Sequence, residues 1–291
     1  ALRDSGTETG DGIRMALWAG AELEAGGACM IWNRAILPDG FEFNEDRMGG
    51  DIFLPGSQPF LHVNVNGERF MNEDIPGQNI ADQLSRVPAG PNPASGANDL
   101  RSWQIFDSKW PTEIDKMPDG HGYVNHFIPA EEVANYGTVL AGFGLGYTTQ
   151  EMVEGTEGLV VANTRDELAE KGNLPVDAVK ASIERYNEMC AAGHDADFGK
   201  DPRRLFPVSE PPFYAYPFGS AGMLVLMGGI ACDDYCRALD AEGNPVAGLY
   251  VAGNNQGGRF GAEYPMTAPG ISHGIALSLG RFAGQNAATP A

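Results

Sequence analysis

The stretch from Arg237 to Gly284 constrains the fold more than any other part of this chain. "RALDAEGNPVAGLYVAG" reads as a hairpin followed by a strand that stops at Gly253. A glycine-rich loop comes next, and "GISHGIALSLGRFAGQNAA" then reads as a helix opening at Gly270. Just upstream, "GMLVLMGGI" has the continuous apolar character of a buried strand. A buried strand, a glycine-rich loop and a helix N-terminus, in that order, place backbone N–H groups on an anionic or electron-rich ligand.

The preceding residues have a different texture. Residues 9–28 read as a glycine turn and a helix, with Ile13, Ala16, Leu17, Gly20 and Leu23 at helical spacing and Gly26-Gly27 as the stop. In "FLHVNVNGERFMN", Leu61, Val63 and Val65 alternate before a turn at Asn66-Gly67, a hairpin signal. "SWQIFDSKW" reads as a short strand and residues 87–98 as a surface loop. Thr164 followed by Glu167 is a capping box. "DAVKASIERYNEMCAAG" is an amphipathic helix with Val179, Ile183, Tyr186, Met189 and Cys190 on one face, and a proline-broken extended segment follows. Gly142, Gly144 and Gly146 begin a dinucleotide fingerprint, but Tyr147 stands where its last glycine is needed.

Composition excludes several classes. A length of 291 residues suggests about two domains, and 43% hydrophobic content supplies a sizeable core. A net charge of −20 repels phosphate backbones, which argues against nucleic acid as a partner. No apolar run reaches eighteen residues, so no membrane span is expected. Four cysteines are too few for a disulfide scaffold; Cys232 and Cys236 read as ordinary loop cysteines, with a redox pair or a disulfide as the alternative, and no metal site is expected. His62 reads as a structural strand histidine, His121 and His126 lack a metal-binding partner, and His194 reads as solvated. The opening "ALRDSGTETGDG" carries no initiator Met and no leader, so the chain is expected to be a piece of something longer and its compartment is not readable.

Four blocks in order, "TGDGIRMALWAGA", "NGERFMNED", "MGGI…DAEGNPVAGLYVAGNNQGG" and "GISHGIALSLGRFAG", resemble the fumarate reductase/succinate dehydrogenase flavoprotein family in its soluble branch. That branch includes flavocytochrome fumarate reductases, urocanate-type reductases and 3-ketosteroid dehydrogenases. The resemblance implies an α/β chain of mixed α+β character: the later part of a glutathione-reductase-like FAD-binding domain, interrupted by an α+β capping domain. On it, residues 1–35 and 222–291 belong to the FAD domain and 36–221 to the cap. The family's N-terminal GxGxxG unit is not among these residues. The cofactor implied is FAD. Asp11 matches the family's acidic residue near the dinucleotide, Gly253 and Asn254 its ribityl–phosphate contact, and Val225 is counted with the residues around the cofactor. Gly270, Ile271, Ser272 and His273 begin the last helix, whose positive end would face the flavin edge that gains negative charge on reduction.

The departures from the family bear on substrate. The position of the proton-donating arginine falls on Gly77, and the proton-path positions fall near Phe53 and Gly56. The two substrate histidines correspond to Leu224-Val225 and to the neighbourhood of Trp32, and the second carboxylate-binding arginine is Tyr264. The dicarboxylate clamp is replaced mostly by apolar and aromatic groups, which suit a larger and less charged molecule. The expectation is an FAD-dependent oxidoreductase that reduces an activated C=C bond of an enone, acrylate or steroid-like substrate, served by an upstream or separate electron donor. A 3-ketosteroid-type dehydrogenase and a non-catalytic piece that binds no FAD are the alternatives. Tyr264 is the candidate proton donor, and Arg259 the candidate ligand of a carbonyl or carboxylate.

Overall fold

A computed structural model describes residues 9–25, 29–38, 59–75, 80, 83, 90–91, 98–99, 101–116, 125–137, 146–260 and 270–289. The helices are α1 (Asp11–Trp18), α2 (Trp110–Glu113), α3 (Gln150–Glu154), α4 (Arg165–Lys171), α5 (Val176–Ala192) and α6 (Ile271–Ala288). The strands are β1 (Cys29–Ile36), β2 (Leu61–Val63), β3 (Gly90–Pro91), β4 (Asn98–Asp99), β5 (Arg101–Asp107), β6 (Asn125–Phe127), β7 (Gly146–Thr148), β8 (Val160–Ala162), β9 (Phe213–Met227), β10 (Arg237–Leu239) and β11 (Pro245–Tyr250). The chain is mixed α+β. It divides into two compact units, one containing Trp32–Gly222 and the other Asp4–Ile31 with Met223–Ala291.

In the first unit the principal sheet runs β1–β9–β5–β2, with β8 also on β9. β5 and β9 are antiparallel, from Arg101 opposite Gly219 to Asp107 opposite Phe213. All seven residues of β5 are buried, because both faces of the sheet are covered. On one face Leu61, Val63, Trp103, Ile105, Phe213 and Ala215 pack against α4 and α5 through Leu168, Val179, Ile183, Tyr186 and Met189. On the other, Phe106 stacks between Phe60 (5.0 Å) and Tyr214 (5.2 Å) and meets Trp110, Ile114 and Val153 in the same core. The period-2 pattern of β9 thus separates Phe213 and Ala215 from Tyr214, Tyr216 and Phe218.

Local chemistry sets the element boundaries. The Thr164 hydroxyl accepts from Glu167 N (3.1 Å), and the Glu167 carboxylate reaches back to Asn163 N (2.8 Å), one residue before the usual target of a capping box. α5 buries four of the five residues its sequence pattern names, with Cys190 half-buried, and ends at Gly193, φ 65°, where His194 N and Gly193 N donate to Met189 and Cys190 carbonyls.

Several expectations need correction. α1 stops at Trp18, not at Gly26-Gly27: Gly20 takes φ 96°, Ala21 N donates to Ala16 O and Gly20 N to Leu17 O, and this C-terminal cap ends the helix. Leu23, expected on the helix, instead bridges Ile230. The Asn66-Gly67 turn is present and is held by Asn64 Oδ1, which accepts from Asn66 N and Glu68 N. The alternation at 61–65 is not realised as an exposed and a buried face, since Leu61, His62, Val63 and Asn64 are all buried. Within 87–98, Gly90–Pro91 pairs with Asn98–Asp99. The strand expected at 222–230 begins at Phe213. His62 is structural, with Nδ1 3.1 Å from Ser102 Oγ and its ring edge-on to Phe218. Phe53, Gly56, Gly77, His121 and the 142–145 glycines lie outside the described residues.

Glu113, buried on α2, is the most perturbed acid of the first unit outside its ion pairs. Burial, and then the Asp107 carboxylate, push it up to about 7, against the pull of Lys109 and Lys116. The folded chain therefore holds a proton between its unfolded value and about 7 that the unfolded chain has released, so stability falls as pH rises across that window. Glu113→Gln is expected to gain up to about 3 kcal/mol at pH 8 and nothing at pH 4, read as a change in thermal midpoint at the two pH values. An equal shift at both would show that the carboxyl does not titrate in the folded chain.

Candidate functional site

In the second unit three backbone segments lie side by side. Ala231 N donates to Glu22 O (2.9 Å) and Glu24 N to Gly229 O (3.0 Å), so 22–24 and 229–231 pair antiparallel around Leu23 and Ile230. On the other side Ile230 N donates to Asn255 O (2.8 Å) and Gly257 N to Ile230 O (2.9 Å), pairing Ile230 parallel with Gln256. Ile230 is fully buried, and Ala16, Ala21, Ala238 and Val251 complete a small core. The hairpin of β10 and β11 joins this layer through Glu22 N to Leu239 O and Leu239 N to Ala231 O, both 2.8 Å.

The approach at Gly229 is closer than any side chain permits. A Cβ there would stand 2.5 Å from the Gln256 carbonyl carbon and the Gly257 nitrogen. Gly12, in the first turn of α1, is equally filled, by the Asn255 amide at 2.4 Å from a notional Cβ. Thus the "MGGI" and "GNNQGG" blocks, far apart in sequence, are knitted together by backbone contact, and the "TGDG" block meets them through the Asn255 side chain. The strand β11 leads into a short turn, Gly253–Asn255, with Gly253 at φ 66°.

Arg259 follows. Its Nε donates to Gln256 O (2.9 Å) and its Nη1 lies 3.4 Å from Asn254 Oδ1. With Ile271, Gly274, Ile275, Ser278 and Leu279 it lines an open groove of about 370 Å³ along the first turns of α6. Gly270, φ 77°, caps that helix, and a Cβ at Gly270 or Gly274 would meet nothing within 4 Å. At Gly274 the groove is therefore floored by backbone without a side chain, one turn into the helix.

The structure therefore brings together Gly253, Asn254, Arg259, Gly270 and Ile271. Ser272 follows half-buried in α6 and His273 is exposed. Asp11 is exposed, 3.8 Å from Arg14, one residue from the Gly12–Asn255 contact. Val225 falls within β9, and Tyr264 lies outside the described residues. Sequence reasoning missed Gly12, Glu24, Gly229 and Asn255. The doubled glycines at 228–229 and 257–258 were the available signal, since adjacent glycines mark close backbone approach.

Two other groups of reactive side chains are structural. Cys232 and Cys236 are free, and burial, with Cys236 and then Asp233 adding, pushes the Cys232 thiol up to about 11, so neither is a ready thiolate. In the first unit, Arg69 holds Glu73 and Asp195 through both edges of its guanidinium (2.8–3.0 Å) between the Tyr186 and Phe198 rings. Lys200, fully buried, reaches Glu73, Tyr186 OH and Pro59 O. Among the described residues no group of three His, Cys, Asp or Glu is placed to hold a metal ion.

Comparison with known proteins follows the same lines. Residues 5–271 match the family described as FAD binding domain. A vinyl phenol reductase of Lactiplantibacillus plantarum is 32% identical over 285 residues, 98% of this chain and 54% of that protein. A 3-oxosteroid 1-dehydrogenase of Mycobacterium tuberculosis is 29% identical over 94% of this chain and 45% of its own length. The crystal structure of 3-ketosteroid delta1-dehydrogenase from Sterolibacterium denitrificans in complex with 1,4-androstadiene-3,17-dione has a similar fold, with a TM-score of 0.62 at 24% identity over 98% of this chain and 47% of that one. The chain spans about half the length of the curated relatives it matches.

Gly229→Ala is expected to cost more than about 2 kcal/mol, because backbone and not a flexible side chain must move. Thermal denaturation checks this; an unchanged midpoint would mean that the three-segment contact does not form.

Proposed function

Because the chain belongs to the FAD binding domain family of flavoprotein oxidoreductases, whose cofactor is FAD, we propose that it serves in an enzyme that reduces an activated C=C bond of an enone, vinyl-aromatic, acrylate or steroid-like substrate. The observation that carries this reading is the match along 98% of the chain to a relative named as a vinyl phenol reductase. The residues present fit the cofactor. A groove with bare backbone at Gly274, in the first turns of an eighteen-residue helix and walled by Ile271, Ile275 and Leu279 with Arg259 at its side, suits a flat, largely apolar ring. On this proposal Asp11, Val225, Gly253, Asn254 and Gly270 to His273 hold it.

When bound, FAD supplies hydride transfer to the carbon β to the activating group. The chain's own residues do the rest. In an enone, acrylate or steroid-like substrate Arg259 holds the carbonyl or carboxylate that activates the double bond. Tyr264 gives a proton to the α carbon, so that one hydride and one proton saturate the bond. The sequence positions that bind fumarate's carboxylates in the family are Leu224, Val225 and Tyr264 here, and the donor position is Gly77. A dianion without cationic partners loses its hydration without return.

A second reading is favoured by the 3-oxosteroid relative, namely dehydrogenation next to a ring ketone. The same two residues serve it in reverse, Tyr264 as the base. The two are separated by supplying the FAD-loaded protein with a reduced viologen and an enone panel, or with a 3-oxosteroid and an artificial acceptor.

Enones or vinyl phenols are expected to be reduced at least about tenfold faster than fumarate, as loss of paired carboxylate contacts requires. Comparable fumarate turnover would end the C=C reading built on the lost clamp. Tyr264→Phe is expected to lower turnover about 10²–10⁴-fold, with FAD absorbance retained. If that variant keeps its rate while Arg259→Ala loses it, the arginine is the reacting group's main partner and Tyr264 is a wall.

A further inference from the structure

We propose that Glu24 is a positioning residue for Arg259; this rests on the reading of Arg259 just given. Glu24 is far from the loop in sequence and belongs to none of the blocks that signal the family. Its backbone N–H is bonded to Gly229 O at 3.0 Å, which fixes its Cα at the edge of the three-segment layer. From there its carboxylate crosses the layer, and Oε2 accepts from Gly258 N at 2.7 Å.

Three features make this contact specific. A Cβ on Gly257 would stand 3.0 Å from the Glu24 Cβ and Cδ, so the side chain lies directly over a glycine that leaves it room. Gly258 sits at φ 69°, a conformation open to glycine that turns the chain before Arg259, and the bond at its nitrogen holds the peptide plane that enters this turn. Arg259 is then the next residue, and its guanidinium folds back on Gln256 O and Asn254 Oδ1 toward the groove at α6. The carboxylate thus sets the turn and the turn sets the arginine. The bond lies at the surface, but at 2.7 Å from a neutral N–H to a carboxylate it is short and charge-assisted, so the glutamate is engaged and not free in solvent.

The test separates anchoring from function. Hydrogen exchange of the protein without FAD, read on peptides covering 256–260, is expected to show faster exchange at Gly258 in Glu24→Ala and near-native exchange in Glu24→Gln, whose amide oxygen still accepts. In the FAD-loaded protein, Glu24→Ala is expected to lose about 10–100-fold in kcat/KM, the scale of a misplaced binding group, and Glu24→Gln to recover most of it. In an Arg259→Ala background, Glu24→Ala is expected to cost little more, because both act through one group. Unchanged exchange in Glu24→Ala would overturn the anchor. Additive losses in the double variant would overturn action through Arg259. Should Arg259→Ala alone keep full activity while exchange at Gly258 still rises in Glu24→Ala, the functional reading of Arg259 falls and with it the positioning role, although the bond itself is present.

Discussion

The unit that carries the candidate site depends on one missing atom. At Gly229 two backbones stand where a Cβ would lie 2.5 Å from main-chain atoms, and no rotamer or side-chain adjustment removes such a clash. Because the segment can approach, Ile230 pairs on both sides at once, with Leu23 and with Gln256. That double pairing carries the 253–259 loop on the same layer as the end of α1, and it fixes the start of the loop that leads to α6. The buried apolar contribution there is small, since Ala16, Ala21, Ala238 and Val251 are short side chains. Backbone hydrogen bonds, whose alternative is burial without partners, therefore do the specifying.

The first unit is built by a different rule. Its sheet is covered on both faces, so side-chain packing decides, and a cluster of opposite charges holds its edges. Asp195 is held well below the usual carboxylate range: burial would raise it, but Arg69 and the Lys200 and Phe198 amides outweigh that. Glu73 is likewise lowered against burial by Lys200 and Arg69. A buried network of this kind adds modest net stability, yet removing one member leaves a charge without its partner, so it fixes the turn at 64–68 to the loop after α5. The "NGERFMNED" block, one of the four that carry the family resemblance, is here structural at Arg69 and Glu73.

Periodic segments were legible in the sequence and approach distances were not. The α5 face, the Thr164 cap, the β10–β11 hairpin and the Gly270 helix start follow from local chemistry, so Val179, Ile183, Tyr186 and Met189 could be named in advance. The length of α1 was misread because Leu23 keeps helical spacing while its partner, Ile230, is some two hundred residues away; tertiary pairing overrode propensity. The strand at 61–65 was misread because alternation presumes one wet face, and here neither face is wet. Of the site, Gly253, Gly270 and Arg259 were visible as a pattern and the tight approaches at Gly12 and Gly229 were not, while Glu24 was invisible, since a lone glutamate has no signature until Gly258 is seen beside it.

The proposed chemistry then depends on how few polar groups the site offers. An apolar wall distinguishes one added methylene by only about 1–3 kcal/mol, whereas a site built to hydrogen-bond one group rejects analogues that lack it far more strongly. Under the reading given to Arg259 and Tyr264, the polar recognition falls on the activating carbonyl and the adjacent carbon, and the rest of the substrate meets apolar or aromatic side chains. Such a site is strict about the activated double bond and tolerant of what is attached to it. On the proposal made for Glu24, the same logic makes the placement of Arg259 costly to disturb: if a single guanidinium carries the polar recognition, a turn held by one carboxylate on one glycine N–H bears on selectivity as well as rate.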